Sequence, residues 1–204
     1  MTDFEIRQDE HGIGEVLILK GDWDPSVASY MQQHGICALR LSDYYGFKGE
    51  DLSFLGSLEF LKSLEIYCWD AKGVQAIGDL PHLEVLGLQF RSTRKIDFSG
   101  FSRLRVAMVT WTKGLQSLLR VATLEKLNIQ NYPHIDLTPC AGLSLLRSLY
   151  LTSRKLESLA GIESLKNLEV LDLYNCPKLA SLEAAERCPI LQQLEIEACA
   201  RLNA

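Results

Sequence analysis

Residues 159–179 read LAGIESLKNLEVLDLYNCPKL, and this stretch holds the pattern that decides the fold. Leucine or isoleucine stands at every third position from Leu159 to Leu171, and the run closes with the pair Leu171/Leu173. Similar pairs return along the chain in steps of 22, 25, 22, 21, 20, 22, 22 and 23 residues. The pairs are Leu17/Leu19, Leu39/Leu41, Leu64/Ile66, Leu86/Leu88, Ala107/Val109, Leu127/Ile129, Leu149/Leu151, Leu171/Leu173 and Leu194/Ile196. Such a period is typical of a solenoid, in which each coil buries its apolar face against its neighbours.

The spacing inside one repeat predicts the path of the chain. Apolar residues three apart indicate tight, 3-10-like turns, and the closing interval of two indicates a short strand. The same columns recur over residues 52–66, 74–88 and 137–151, where Cys140 replaces a leucine. We therefore expect one coil per repeat, with both members of each pair buried and the residues between them on the outward face of a sheet.

The repeats resemble the leucine-rich repeat family, whose pattern is L-x-x-L-x-L-x-x-N/C-x-x-L. The clearest copies run from Leu168 to Leu179 and from Leu191 to Leu202. Their 22-residue spacing is similar to the class found in bacterial internalins and in a phosphatase-regulating nuclear protein. The resemblance covers about residues 36–204 and implies an α/β leucine-rich repeat solenoid. In that fold a parallel sheet lines the concave face of a curved, horseshoe-like arc, and short helices or 3-10 turns line its convex face.

One column of the family pattern is poorly kept in this chain. The N/C column normally holds a small buried polar side chain, and we expect irregular turns where it does not. The residues in question are Tyr44, Trp69, Arg91, Thr112, Tyr132 and Arg154.

The whole chain, residues 1–204, is predicted to form one domain, with residues 1–35 as cap and first strand and residues 36–204 as repeats. The cap should contain a hairpin across a glycine-containing turn, followed by a helix from Asp24-Pro25 to Gly35. Its acidic start has neither the basic and apolar signature of a secretory signal nor a membrane-spanning run. We therefore expect a cytoplasmic protein without a membrane partner.

Catalytic and metal-binding patterns are missing from the sequence. The six cysteines include no C-x-x-C, and the four histidines are scattered along the chain. Motifs such as G-x-S-x-G, the P-loop and H-E-x-x-H do not occur. We expect no enzyme activity, no cofactor and no metal. Cys176 and Cys199 occupy one column of adjacent coils near disulfide distance, but reduced thiols are the expectation in the cytoplasm.

The outward columns of the predicted sheet are rich in aromatic and hydrogen-bonding side chains. A solvated face would ordinarily carry Thr, Lys and Glu, whereas aromatic residues are enriched at binding hot spots. We therefore predict a partner-binding surface in these columns, with an aromatic centre and an acidic end. The alternative is that some of the aromatic side chains, especially Trp69, Phe90 and Trp111, pack over the strand ends. The surface comprises Arg40, Glu65, Tyr67, Trp69, Gln89, Phe90, Met108, Thr110, Trp111, Asn128, Gln130, Tyr150, Thr152, Asp172, Tyr174, Glu195 and Glu197.

Charge is distributed unevenly, although the net charge is only −5. Residues 1–70 carry 13 acids against 5 bases, and residues 91–120 carry 7 bases against Asp97 alone. Because the basic residues fall on predicted loops and no aromatic residues interleave with them, we expect no nucleic-acid partner.

The sequence leaves two functions open. The first is a non-catalytic module that binds a protein ligand on the concave face, in its sharper form an immunity protein or inhibitor that blocks a toxin or enzyme. The alternative, which follows from the resemblance, is a regulatory adaptor that recruits a phosphatase-like enzyme. The chain is expected to be a monomer, or a homodimer through an open solenoid end.

Overall fold

The computed structural model describes residues 3–203, so the predicted domain limits at residues 1 and 204 lie outside it. The described residues fall into two compact units. Unit 1 comprises residues 3–104 with Thr112–Leu115, and unit 2 comprises Arg105–Trp111 with residues 116–203. The organisation of the whole chain as one domain stays a prediction.

Unit 1 contains a sheet that begins with a hairpin. Its strands are β1 (Asp3–Gln8), β2 (Glu15–Lys20), β3 (Ala38–Ser42), β4 (Ser63–Tyr67) and β5 (Val85–Gln89). β1 pairs antiparallel with β2, and β2 to β5 then pair parallel in chain order. Helix α1 (Pro25–Gln33) connects β2 to β3, with the Asp24 carboxylate accepting a hydrogen bond from the Ser26 N–H at 2.8 Å. The predicted hairpin and capped helix are therefore present.

Unit 2 contains parallel strands only. They are β6 (Val106–Thr110), β7 (Lys126–Gln130), β8 (Ser148–Thr152), β9 (Val170–Tyr174) and β10 (Gln193–Glu197). Each pairs in register with the next, so that equivalent residues of successive repeats lie side by side. A short helix, α2 (Glu183–Glu186), lies between β9 and β10.

The leucine ladder forms the core, as its spacing predicts. Leu52, Leu55, Leu58 and Leu61 are fully buried, and they lead into the buried pair of β4. Because residues three apart on a 3-10 turn face the same way, this spacing suits the 3-10 helices that link the strands. Those helices are Asp43–Tyr45, Ser53–Ser57, Val74–Asp79, Lys113–Arg120, Thr138–Cys140, Ile162–Ser164 and Ala200–Asn203.

Six of the turns after the strands are of two kinds, which accounts for Trp69, Arg91, Tyr132 and Arg154 in the N/C column. After β4, β5 and β8 the alternation continues for one more step, so Cys68, Phe90 and Ser153 are buried. Their neighbours at 69, 91 and 154, which the family pattern places in the column, are exposed instead. The Ser153 hydroxyl donates to the Tyr132 carbonyl at 2.7 Å and accepts the N–H of Leu156 at 3.0 Å. It thus links two coils as a column asparagine would.

The second kind of turn occurs after β7, β9 and β10. Asn131, Asn175 and Ala198 have φ of 59°, 53° and 55°, in the left-handed region. The left-handed residue interrupts the strand alternation, so the side chain of the next residue points into the core. Tyr132 after Asn131 and Cys176 after Asn175 are accordingly buried. Asparagine tolerates this conformation better than other residues with a Cβ, whereas Ala198 has no such advantage.

Strand β10 departs from the expected burial. The paired residues Leu194 and Ile196 are 40% and 36% exposed, whereas their counterparts on β9, Leu171 and Leu173, are fully buried. Within the described residues, β10 has a neighbour only on the β9 side. The inward side chains of β10 are therefore covered by the β9 coil alone, and they remain partly exposed on their other side.

Candidate functional site

The residues predicted to bind a partner divide between the two units. Those of unit 1 are Arg40, Glu65, Tyr67, Trp69, Gln89 and Phe90. Those of unit 2 are Met108, Thr110, Trp111, Asn128, Gln130, Tyr150, Thr152, Asp172, Tyr174, Glu195 and Glu197. Each set has its own geometry.

In unit 1 the outward side chains of neighbouring strands form an ion pair and a hydrogen bond with one another, although the buried Arg40 Nε has no hydrogen-bond partner. The Arg40 guanidinium on β3 pairs with the Glu65 carboxylate on β4 at 2.7 Å. The Tyr67 hydroxyl donates to the other oxygen of Glu65 at 2.6 Å. Burial and the adjacent Glu65 charge raise the pKa of Tyr67, so this hydroxyl stays protonated as the donor. Although burial opposes it, the Glu65 carboxylate raises the pKa of Arg40, so the guanidinium remains charged.

Gly87 on β5 makes this arrangement possible. A Cβ at Gly87 would lie 2.8 Å from the Tyr67 hydroxyl and 3.0 Å from the Glu65 Cγ. The absence of a side chain therefore leaves the space into which Tyr67 folds. As a result, strands β4 and β5 are buried at consecutive positions on both faces.

Two predicted surface residues of unit 1 need correction. Glu65 is 2% exposed because Arg40 and Tyr67 enclose it. Phe90 is also 2% exposed, because the strand alternation carries its ring into the core after β5. These two side chains are therefore not part of an exposed surface, and for Phe90 the alternative, packing on the solenoid, holds. Trp69, in contrast, is 42% exposed, with the Arg91 guanidinium 5.5 Å from its ring centroid.

Unit 2 has an open outward face. Residues of β7, β8 and β9 alternate between buried inward side chains and outward ones that reach solvent. In one row Tyr150 lies beside Asp172, which lies beside Glu195. In the next row Thr152, Tyr174 and Glu197 follow one another in the same way. We call these six residues of β8 to β10 the acidic face.

The carboxylates of the acidic face lack a cationic partner. No lysine or arginine among residues 3–203 forms an ion pair with Asp172, Glu195 or Glu197. Burial, then the charges of Glu195 and Glu197, raise the pKa of Asp172. Tyr174 is 47% exposed in the middle of this cluster. The face therefore offers an aromatic surface and uncompensated negative charge together.

A second group of side chains lies over β6 and β7. The Trp111 ring meets His134 edge to face at 5.9 Å, and the Thr110 hydroxyl donates to Gln130 Oε1 at 3.3 Å. Lys126 Nζ lies 5.3 Å from the centroid of the Tyr150 ring. The predicted surface did not include Lys126. This residue lies two positions before Asn128 on β7, so the same alternation places it on the outward face. Met108 and Asn128 are half-buried on the same strands.

The described residues contain no cluster of three or more His, Cys, Asp or Glu side chains able to hold a metal ion. They also contain no helix with the length and apolarity that a membrane crossing requires. All six cysteines are free thiols. Burial, with the nearby Cys199 thiol, raises the pKa of Cys176 to about 12, so this thiol is a poor nucleophile at neutral pH.

The comparison with solved structures identifies the fold. Internalin C2 from Listeria monocytogenes superposes with a TM-score of 0.64 at 23% identity, over 89% of this chain and 80% of that one. The chain has a leucine-rich repeat fold. An internalin from the same organism, inlF, matches with a TM-score of 0.46 at 18% identity, over 81% of this chain and 47% of its own. No protein-family model and no curated protein matches the sequence.

Proposed function

We propose that the chain is a non-catalytic protein-binding module whose ligand docks on the acidic face. The supporting observation is that two tyrosines share this face with three carboxylates that no cation within residues 3–203 neutralises. Tyrosine buries a large area at low entropic cost, and uncompensated charge gives an interface its orientation and speed of association. Both properties favour a macromolecular ligand over a small one.

The chemistry of the face defines the partner. A protein surface with arginine or lysine side chains would place its cations against Asp172, Glu195 and Glu197. An arginine can also stack on the exposed ring of Tyr174. We propose that the module acts as an immunity protein or inhibitor that blocks a basic active site of a toxin or enzyme. We place it in the cytoplasm, where buried free thiols such as Cys140 and Cys176 stay reduced.

Charge reversal tests the proposal. The triple variant Asp172→Lys, Glu195→Lys, Glu197→Lys should lose the proteins that the wild-type chain retains from a native lysate, as identified by mass spectrometry. A matched control, Glu59→Lys, Asp79→Lys, Glu186→Lys, changes the net charge equally at exposed positions off the face and should retain them. Equal retention by both triple variants would contradict the proposal.

The affinity for the retained partner then separates the two roles. An inhibitor should bind with a dissociation constant of about 1 nM or below, whereas a recruiting adaptor works at about 1 μM. Micromolar binding of a phosphatase-like enzyme would favour the regulatory alternative.

A further inference from the structure

Unit 1 has an open groove of about 870 Å³ where the chain leaves strands β4 and β5. One wall is the segment after β4, and the other is the segment after β5. Neither the acidic face nor the Arg40–Glu65–Tyr67 network contributes to it. The groove is lined by Trp69, Asp70, Ala71, Lys72, Gly73, Gln75, Arg91, Ser92, Thr93, Arg94 and Lys95.

The wall after β4 is fixed by backbone contacts to the preceding repeat. The Lys72 N–H donates to the Glu50 carbonyl at 2.6 Å, and the Leu52 N–H donates to the Lys72 carbonyl at 2.9 Å. Gly73 has φ of +69°, and a Cβ there would lie 2.5 Å from Asp51 Oδ1. The backbone at Lys72 is therefore anchored to the preceding repeat through both its N–H and its carbonyl, close to Trp69 in the same segment.

The wall after β5 is fixed in a comparable way. A Cβ at Gly114 would lie 2.1 Å from the Arg94 carbonyl oxygen, so only glycine allows this approach. The Ile96 N–H donates to the Gly114 carbonyl at 3.1 Å, and the Ile96 side chain is fully buried. The backbone that carries Arg94 and Lys95 is thus preorganised, which lowers the cost of binding a ligand.

The groove is positively charged. Lys72 pairs with Glu50 at 2.6 Å and Arg91 pairs with Asp70 at 3.3 Å, both in exposed positions. The side chains of Arg94 and Lys95 form no ion pair within residues 3–203. Lys95 also interacts electrostatically with the Asp97 carboxylate. The Trp69 ring, on the wall after β4, is exposed, with the Arg91 guanidinium of the other wall near its ring centroid. A binding surface with two cations that form no ion pair and one aromatic platform attracts a ligand of opposite charge that also has an apolar group.

We propose that this groove binds an acidic peptide segment of a protein partner. Its carboxylates would face Arg94 and Lys95, and one aromatic side chain would lie against Trp69. The cations are spread along two walls of an open channel, which suits an extended chain with several separate charges. A single phosphate would instead need donors that converge on one point. The site is independent of the acidic face, which attracts cations.

Fluorescence anisotropy tests the site directly at low ionic strength. The probe is a short fluorescein-labelled peptide of glutamate and glycine with one central tyrosine. We expect binding that weakens as salt is added. The variant Arg94→Glu, Lys95→Glu should weaken it by at least about tenfold, because two attractive charges become repulsive. The milder variant Arg94→Gln, Lys95→Gln should lose an intermediate amount.

The matched control is Arg154→Glu, Lys155→Glu, which reverses an exposed pair of neighbouring cations in unit 2. It should change the affinity by less than about twofold, since neither residue lines the groove. An equal loss in both charge-reversed variants would reduce the binding to non-specific attraction and overturn the proposal. So would binding of inorganic phosphate by a protein that does not bind the peptide.

A double-mutant cycle tests the aromatic contact. Replacing the peptide tyrosine with glycine should weaken binding to the wild-type protein and have little effect on Trp69→Ala. If the loss were the same in both proteins, Trp69 would not be the platform and that assignment would be wrong. Thermal unfolding of each variant confirms that the exposed substitutions leave the fold intact.

Discussion

The outward faces of units 1 and 2 have the same strand geometry but opposite character. On β3 and β4, Arg40 and Glu65 form an ion pair that Tyr67 completes and encloses. On β9 and β10, Asp172 and Glu195 lie at equivalent positions, side by side and without a cation. A repeat fold therefore fixes where outward side chains stand, whereas their neighbours on the next strand decide whether they reach solvent. The side chains of the closed face, Arg40, Glu65 and Tyr67, bind one another, whereas those of the open face reach solvent.

The largest expected effect comes from breaking the closed face. Glu65→Ala leaves the Arg40 guanidinium largely buried without its partner and should lower the free energy of unfolding by about 3–5 kcal/mol. Glu195→Ala on the open face should change it by less than about 0.5 kcal/mol. Urea denaturation of both variants measures the difference. Similar values for the two would show that the faces do not differ in this way.

The tyrosines give a smaller and more selective test. Tyr67→Phe removes a hydrogen bond to a buried carboxylate and should cost about 1.5–3 kcal/mol. Tyr174→Phe removes a hydroxyl from an exposed ring and should leave the unfolding midpoint unchanged. The same urea experiment compares them, and a neutral result for Tyr67→Phe would contradict the closed-face description.

A third test uses the turns that follow the strands. Three described residues other than glycine have a positive φ: Asn131, Asn175 and Ala198. All three lie in unit 2. Ala198→Gly should stabilise the protein by about 1 kcal/mol, because the Cβ is unfavourable in the left-handed region. Asn175→Gly should give a smaller gain. Thermal unfolding would contradict the assignment if Ala198→Gly lowered the midpoint.

The smallest effect should depend on pH. Burial first, then Glu195 and Glu197, raise the pKa of Asp172, so the folded protein binds this proton more tightly than the unfolded chain. A stability cost therefore appears as the pH rises from the unfolded value of about 3.9 through the raised pKa, and it persists at neutral pH.

Asp172→Asn should remove that cost. We expect a gain of less than about 0.5 kcal/mol at pH 7, because solvent screens a partly exposed carboxylate, and no gain below the unfolded pKa, where the carboxyl is protonated in both states. Thermal unfolding of wild type and variant across this range measures it. A gain that did not vary with pH would point to packing and not to charge.

The sequence allowed prediction of the repeats, the parallel strands, the N-terminal hairpin and the helix that Asp24 caps. These features depend on local spacing and on capping residues close in the chain. The outward columns were also assigned to the right strands. Their exposure was not predictable, because alternation alone treats Glu65 and Asp172 as equivalent positions.

The N/C column illustrates the same limit. Phe90 is buried because the strand alternation runs one residue further than the family pattern. The sequence left this open, since Leu86, Leu88 and Phe90 continue the alternation whereas the family pattern ends it. The groove beside Trp69 was missed for another reason. The wall after β5 is set by the close approach of Gly114 to Arg94, a contact between residues 20 positions apart that no periodic pattern contains.

By itself the sequence determined the coil. A period near 22 residues, with leucines three apart and a closing pair, can bury its apolar side chains only by stacking strand on strand. Tertiary structure alone decided which outward residues are surface. The Arg40–Glu65 pair joins residues 25 positions apart, and the space for Tyr67 exists because Gly87 stands on the next strand. Exposure depends on such neighbours across strands, and one strand read alone cannot supply them.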